Sequence, residues 1–314
     1  MGPMHFVEWR AEELLPAAWA NQGAARVFNP GLLADGDGYL LAYRVVLPDG
    51  ARRIGLCRLD TRFHVIAGTG VAWSDHHPQG EWFADPRLYR LDGRIYLHWN
   101  SGWGDEPNRQ YLQEFNERNL LPTGTPRELM LDGPRQPIEK NWMFFGGPAG
   151  RGIYFPRPLR FLRCDWPATV YRLESAGISQ LPDGQTWDDG GYEAQYGPLR
   201  GGAPPVPDGD GYWCVAHSLT YAPEGYRYMA AVFRFRDDGV VTHRPRAPLP
   251  LPNPYRCRRQ FHRLNPYAGE VIYPCGMARA EDGWAVSYGI NDERCAVAIM
   301  TDQELISAVE GVAR

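Results

Sequence analysis

The strongest constraint on how this chain folds is a repeat. Phe28-Asn29-Pro30-Gly31-Leu32 opens a first unit, followed by Asp37-Gly38 and the runs 39–45 (YLLAYRV) and 52–60 (RRIGLCRLD). Asp85 opens a second, followed by Asp92-Gly93, 94–100 (RIYLHWN) and 109–116 (RQYLQEFN). The third holds Glu139-Lys140-Asn141-Trp142, a glycine turn at 150–152, then 153–159 (IYFPRPL) and 168–174 (ATVYRLE). The fourth holds Arg200-Gly201-Gly202, Asp210-Gly211, 212–218 (YWCVAHS) and 226–235 (YRYMAAVFRF). The fifth holds Pro274-Cys275-Gly276, Asp282-Gly283, 284–289 (WAVSYG) and 295–302 (CAVAIMTD). The openings Asn29, Asp85, Asn141, Gly202 and Cys275 stand 56, 56, 61 and 73 residues apart.

Asp-Gly between alternating apolar runs is a hairpin signal, because the favoured two-residue turn needs positive φ at both central residues. Short antiparallel strands with turns at matched offsets predict an all-β chain, a five-bladed β-propeller, rather than a pair of β-sandwiches. The blades are expected at approximately 28–66, 83–121, 139–180, 200–248 and 270–302, within one domain spanning 1–314. Weaker runs such as 63–66 and 240–243 supply an outer fourth strand. Residues 302–312 place a capping acid before helically spaced apolar residues and predict a short closing helix. Residues 12–19 (EELLPAAW) suggest a helical turn broken by Pro16.

A net charge of −4 with no basic stripe argues against nucleic acid as a partner. The run 256–263 (RCRRQFHR) reads as a solvated loop, an anion contact or a partner patch. The six cysteines are scattered without a C-x-x-C pair, so no metal site is expected, and Cys57, Cys214 and Cys295 read as small buried hydrophobes. No apolar run long enough to span a membrane is present. Residues 1–3 ahead of Met4 look like an appended remnant. With no secretory leader visible, a cytoplasmic location with reduced thiols is expected. Aromatic content of 13%, with 11 Trp and 17 Tyr, fits either sheet packing or ring-stacking against a ligand.

In a propeller, the openings of the first strands and the exits of the second strands share one face. That topology gathers Asn29, Asp85, Arg87, Glu139, Lys140, Asn141, Arg200 and Gly202 from openings. From exits it gathers Arg44, Asn100, Trp103, Arg157, His217, Tyr288, Asn291 and Asp292. Converging polar and aromatic groups of this kind make a small-molecule site. Asp85 reads either as a strand-opening acid paired with Arg87 or as a general acid or base. Glu139 and Asp292 are further carboxyls. Trp103 and Trp142 either stack on a ligand or pack the core. Arg44, Lys140, Arg157, Arg200 and His217 suit an anion, since phosphate favours several charge-assisted donors.

The motifs FNPGLL at Phe28, ADPRLY at Ala84, EKNWMFF at Glu139, RGGAPPV at Arg200, VAHS at Val215 and VSYGIND at Val286 carry a resemblance over residues 27–302. The chain resembles the five-bladed propeller glycosidases, and within them glycoside hydrolase family 130, the β-mannoside phosphorylases and hydrolases. Asn29 stands where arabinanase and fructosidase propellers place a catalytic Asp, which favours the family-130-like branch. The resemblance implies an enzyme that cleaves or transfers a β-mannoside-like unit with inversion, by phosphorolysis or hydrolysis. Asp85 inherits the role of proton donor, and Glu139 or Asp292 serves as base if water attacks. Lys140, Asn141, His217 and 288–292 fall where such enzymes hold the anion or the sugar. The implied partner is a small carbohydrate, with inorganic phosphate as a co-substrate and no other cofactor. A non-catalytic sugar-binding propeller and a propeller glycosyltransferase using a sugar-phosphate donor remain alternatives.

Overall fold

A computed structural model describes residues 5–23, 25–77, 82–101, 108–145, 150–165, 170–173, 187–223, 225–255, 264–265 and 267–312. Trp103 and the basic run 256–263 lie outside the described residues.

Strands form successive antiparallel groups that follow the repeat. Arg26–Asp35, Gly38–Val46 and Arg52–Leu59 pair in order. Ala84–Leu91, Arg94–Asn100, Gln110–Glu114 and Arg127–Leu131 come next. Met143–Phe144, Arg151–Phe155, Arg160–Arg163 and Val170–Leu173 follow. The 168–174 run, expected as a third strand, is therefore the fourth of its group, with Arg160–Arg163 inside it. A long hairpin, Gly211–Ala222 with Gly225–Arg236, carries the next group. Ala268–Ala280, Gly283–Ile290 and Arg294–Met300 form the last.

Both faces of the inner strands are buried, which explains their continuous apolar runs. On Gly38–Val46 the period of two sends Leu40 and Ala42 to a cluster with Leu88 and Trp99. The alternating Leu41, Tyr43 and Val45 go to a cluster with Ala285 and Val297. The first group thus packs against the second on one face and against the last on the other. Ser287 Oγ, from the last group, donates 2.5 Å to the Pro30 carbonyl of the first.

The recurring glycine has a different job from the one expected. Of the four Asp-Gly pairs of the repeat, only Asp92-Gly93 forms a two-residue hairpin turn with positive φ at both positions, 49° and 74°. In the first and fourth groups the turn residues are Gly36-Asp37 and Gly209-Asp210, as the pairs Asp35 with Gly38 and Asp208 with Gly211 show. Gly38, Gly211 and Gly283 instead start the next strand, and Gly150 immediately precedes it. A Cβ at Gly38, Gly150, Gly211 and Gly283 would stand 2.3, 2.4, 2.4 and 2.3 Å from the carbonyl oxygens of Leu59, Cys164, Phe235 and Met300. The repeat keeps glycine because a neighbouring strand's backbone occupies that space.

The chain ends also differ from expectation. His5–Trp9 is a strand that pairs with Arg294–Met300 and joins the start of the chain to its last group. The C-terminal helix covers only Asp302–Ser307, and its cap is Thr301, whose hydroxyl accepts from Glu304 N while Glu304 returns to Thr301 N. Val309–Gly311 is a strand against Val241–Pro245. Of the outer runs, Val241–Pro245 is a strand, whereas 63–66 makes one isolated bridge, Leu59 to Val65.

Candidate functional site

The 56-residue spacing has a backbone cause. Asn29, Asp85 and Asn141 all sit in the left-handed region, at φ 53°, 51° and 68°. The first two lie at register shifts, between Phe28 and Gly31 and between Ala84 and Arg87. Among residues with side chains, Asn and Asp tolerate this conformation best. A bulge turns one side chain out of the strand's alternation, and here the turned residues meet across groups. Asn29 Nδ2 donates 2.9 Å to Asp85 Oδ1. Asn141 Oδ1 accepts from Tyr273 OH at 2.7 Å and from Arg87 Nη2 at 3.3 Å.

Arg87 is fully buried. Its Nε donates 2.6 Å to the Gly202 carbonyl and its Nη2 also reaches Tyr273 OH at 3.2 Å. One side chain therefore ties four repeats together. Arg87 is not the partner of Asp85; that partner is Arg44, whose Nη1 lies 3.3 Å from Asp85 Oδ1. The Arg44 guanidinium packs over the Phe28 ring at 5.0 Å.

Burial is the largest influence on Asp85 and opposes ionisation, yet Arg44, Lys140, Arg87 and the Asn29 hydrogen bond together hold its carboxyl down at about 2. Asp292 shows the opposite balance. Burial lifts it to about 6, Asp85 and Glu293 add to the rise, and Arg44 and Lys140 only partly offset it. Two carboxyls under the same two cations are thus pushed apart. Lys140 is lowered, first by burial and then by Arg44 and Arg87 against the pull of Asp85.

A crevice of about 10 Å³, room for roughly one water, is lined by Arg44, Asp85, Asn100 and Lys140. Lys140 and Ile138 also line the adjoining cavity, of about 520 Å³. That volume lies in the usual range for small-molecule sites. Its walls include Glu139, Asn141, Arg200, His217, Tyr228 and Tyr273. His217 Nδ1 lies 2.8 Å from the Gly201 carbonyl, so Nδ1 carries the proton and Nε2 is left as an acceptor. Burial, then Lys140 and Arg87, lowers His217 to about 3, which keeps the ring neutral. Burial first, then Asp292 and Asp85, raises the Tyr228 hydroxyl to about 12 and ties the cavity wall to both carboxylates.

Asn29, Arg44, Asp85, Arg87, Lys140, Asn141, His217 and Asp292 therefore come together, and Arg200 reaches the cavity rim from an exposed position. Glu139 lines the cavity but its oxygens are engaged: Oε2 accepts from Gln136 N and Tyr154 OH, and Oε1 from Trp142 Nε1. Trp142 is a core residue. Three other expected residues serve the scaffold. Arg157 is held by Asp189, Glu193 and the Trp187 carbonyl. Tyr288 lies in the core and donates 2.8 Å to the Pro252 carbonyl. Asn291 Oδ1 accepts from Val271 N at 3.0 Å, closing a turn. Sequence reasoning missed Tyr154, Tyr228 and Tyr273. Their signal was only the tyrosine excess, which does not say which strand face a ring occupies.

No protein-family model matches the chain, and no curated protein sequence does. Solved structures do. The β-1,2-mannobiose phosphorylase from Listeria innocua, in complex with β-1,2-mannobiose, matches with a TM-score of 0.64 at 15% identity, covering 97% of this chain and 99% of that one. A glycoside hydrolase family 130 structure, described among mannoside phosphorylases and hydrolases that target β-1,2 mannosidic linkages in Candida mannan, matches with 0.59 at 15%, covering 89% and 85%. A mannose phosphorylase from Leishmania mexicana, in complex with phosphate, matches with 0.57 at 12%, covering 93% and 89%. At these identities the shared property is the fold, and this mostly β chain has the fold of the family 130 enzymes along nearly its whole length.

Proposed function

We propose that the chain is a single five-bladed β-propeller and a carbohydrate-active enzyme that cleaves or transfers a β-mannoside-like unit with inversion. The observation that carries this reading is the cluster of Asp85, Arg44, Lys140 and Asp292 beside the cavity, with Asp85 at a left-handed strand opening and Asp292 in a left-handed turn. The folds it shares with phosphorylases and hydrolases of mannosides support the substrate class.

In the step proposed, the bond from the anomeric carbon to the leaving oxygen breaks while a nucleophile bonds to that carbon from the opposite face. Asp85 gives its proton to the leaving oxygen. In the free protein Asp85 is ionised, because the cations overcome its burial. A phosphate in the cavity against Lys140 offsets that cation and brings negative charge toward Asp85, so its pKa rises and the donor loads as the nucleophile arrives. Phosphate attacks without a protein base and needs no further cofactor. If water attacks, Asp292, ionised above about pH 6, is the base. It suits that role better than Glu139, whose oxygens already serve the 136–142 loop. An inverting pair stands about 6.5–9.5 Å apart to admit the water.

A second reading exchanges the carboxyls: Asp292, whose raised pKa of about 6 lets it hold its proton up to that pH in the free protein, is the donor. Asp85→Asn and Asp292→Asn separate the two. The first reading expects turnover of β-mannobiose to fall at least about 100-fold in Asp85→Asn with binding retained. Loss confined to Asp292→Asn moves the donor role there, and binding without turnover in the wild-type protein leaves a sugar-binding propeller.

A further inference from the structure

The hairpin Gly211–Ala222/Gly225–Arg236 extends past the cavity, and its tip carries tyrosines. Tyr221 and Tyr226 are paired across it with ring centroids 5.0 Å apart, edge to face. Tyr226 lies two residues from Tyr228 and so on the same face of its strand. Tyr228 stacks on His217 at 5.8 Å, inside the cavity. On the outer side, Tyr226 meets Tyr267 at 6.4 Å. Tyr221 and Tyr267 are 74% and 70% exposed, among the most exposed large apolar side chains described. The rings thus form one line from cavity wall to surface.

The outer end of this line is built. Tyr226 N donates 2.7 Å to the Tyr267 carbonyl, and Tyr226 to Tyr228 run parallel to the strand that starts at Ala268. Arg227 and Glu270 close an ion pair at 3.1 Å across the same junction. Gly225 has φ +123°, and a Cβ there would stand 2.3 Å from the Tyr267 carbonyl. The glycine lets the Tyr267 backbone press against the hairpin tip, which fixes the ring beside Tyr226.

We propose that Tyr221, Tyr226 and Tyr267 form a subsite for the further sugar units of an oligosaccharide whose end lies in the cavity. This rests on the carbohydrate reading above and makes its substrate a glycan chain rather than a disaccharide. A tyrosine face supplies flat apolar area with a hydroxyl at its edge, which matches the C–H face and hydroxyl rim of a pyranose ring. Continuity with the cavity favours this occupant: Tyr221, Tyr226 and Tyr228 line it, and Tyr267 extends the same row outside. A ligand longer than the cavity that leaves it on this side crosses these rings.

Calorimetric titration with β-1,2- and β-1,4-linked mannobiose and mannotetraose tests the subsite. The tetrasaccharide of one linkage should bind about tenfold tighter than the disaccharide of that linkage, a gain within the range of one or two ring contacts. Tyr267→Ala, outside the cavity, should remove most of that gain while shifting mannobiose less than about twofold; Tyr221→Ala should also remove most of it, and Tyr267→Phe should keep it. Equal affinity for both lengths, or a gain untouched by Tyr267→Ala and Tyr221→Ala, overturns the subsite and leaves the proposed function standing. No binding of any of the four overturns the subsite together with the function. A wild-type dimer in sedimentation that Tyr267→Ala dissolves makes the patch an interface between copies and likewise overturns the subsite.

Discussion

Replacing Asp85 and Asp292 in turn by asparagine moves stability in opposite directions. Asp85 sits at about 2 against an ordinary 3.8, so folding favours its charged form. The difference is worth ~2.5 kcal/mol at about 1.36 kcal/mol per pH unit. That stability is present above pH 3.8 and is lost as pH falls toward 2. Asp292 sits at about 6 against 3.8, so folding disfavours its charged form. It removes ~3 kcal/mol above pH 6 and nothing below 3.8, with some discount for its partial exposure. Asparagine tolerates the left-handed φ of both positions, 51° and 56°, as Asn29 and Asn141 demonstrate in this chain. Urea unfolding at about pH 7.5 should therefore show Asp85→Asn destabilised by ~2.5 kcal/mol and Asp292→Asn stabilised by ~2–3 kcal/mol. At about pH 5 the Asp292→Asn gain should shrink to ~1.6 kcal/mol. The double variant should depart from additivity, because both carboxylates share Arg44 and Lys140. An Asp292→Asn protein less stable than wild type at neutral pH, or a gain that does not change with pH, refutes the electrostatic account of the cluster.

Two further variants probe the frame beneath the site. Arg87→Met should cost at least ~3 kcal/mol in urea unfolding, because it strands the buried Gly202 carbonyl and takes from Asn141 Oδ1 and Tyr273 OH the cation they share; a cost under about 1 kcal/mol means that the four repeats are not held through this side chain. Gly38→Ala should destabilise by ~1–3 kcal/mol by forcing a methyl against Leu59 O, and Gly93→Ala by about 1 kcal/mol through its positive φ alone, there being open space around it; the reverse order in melting experiments contradicts the backbone-contact reading of the repeat.

The repeat was legible because it reflects backbone demands that recur. Asn29, Asp85 and Asn141 mark a left-handed bulge, and Gly38, Gly150, Gly211 and Gly283 mark a close approach. The Asp-Gly pattern found the right places for a partly wrong reason, since the turn and the contact sit one residue apart in the first and fourth groups. Side-chain direction was less legible. A bulge between Pro274 and Gly276 breaks the alternation of its strand, so counting by twos back from the core residue Met277 does not reveal that Tyr273 faces the cavity, while Tyr288, opposite Pro274, faces the core. Arg157 looked like a funnel cation because Asp189 and Glu193, which hold it, come from a segment with no repeat signature. The three-residue step from Glu139 to Trp142 gave no hint that the tryptophan occupies the glutamate.

The most direct test of the central claim is phosphorus and proton NMR of the wild-type protein with β-1,2- and β-1,4-mannobiose, with and without inorganic phosphate. The account predicts release of a mannose unit with its anomeric configuration inverted, as the 1-phosphate if phosphate is the nucleophile and as free mannose if water is. Product that retains the β configuration, or no product under any of these conditions, contradicts it.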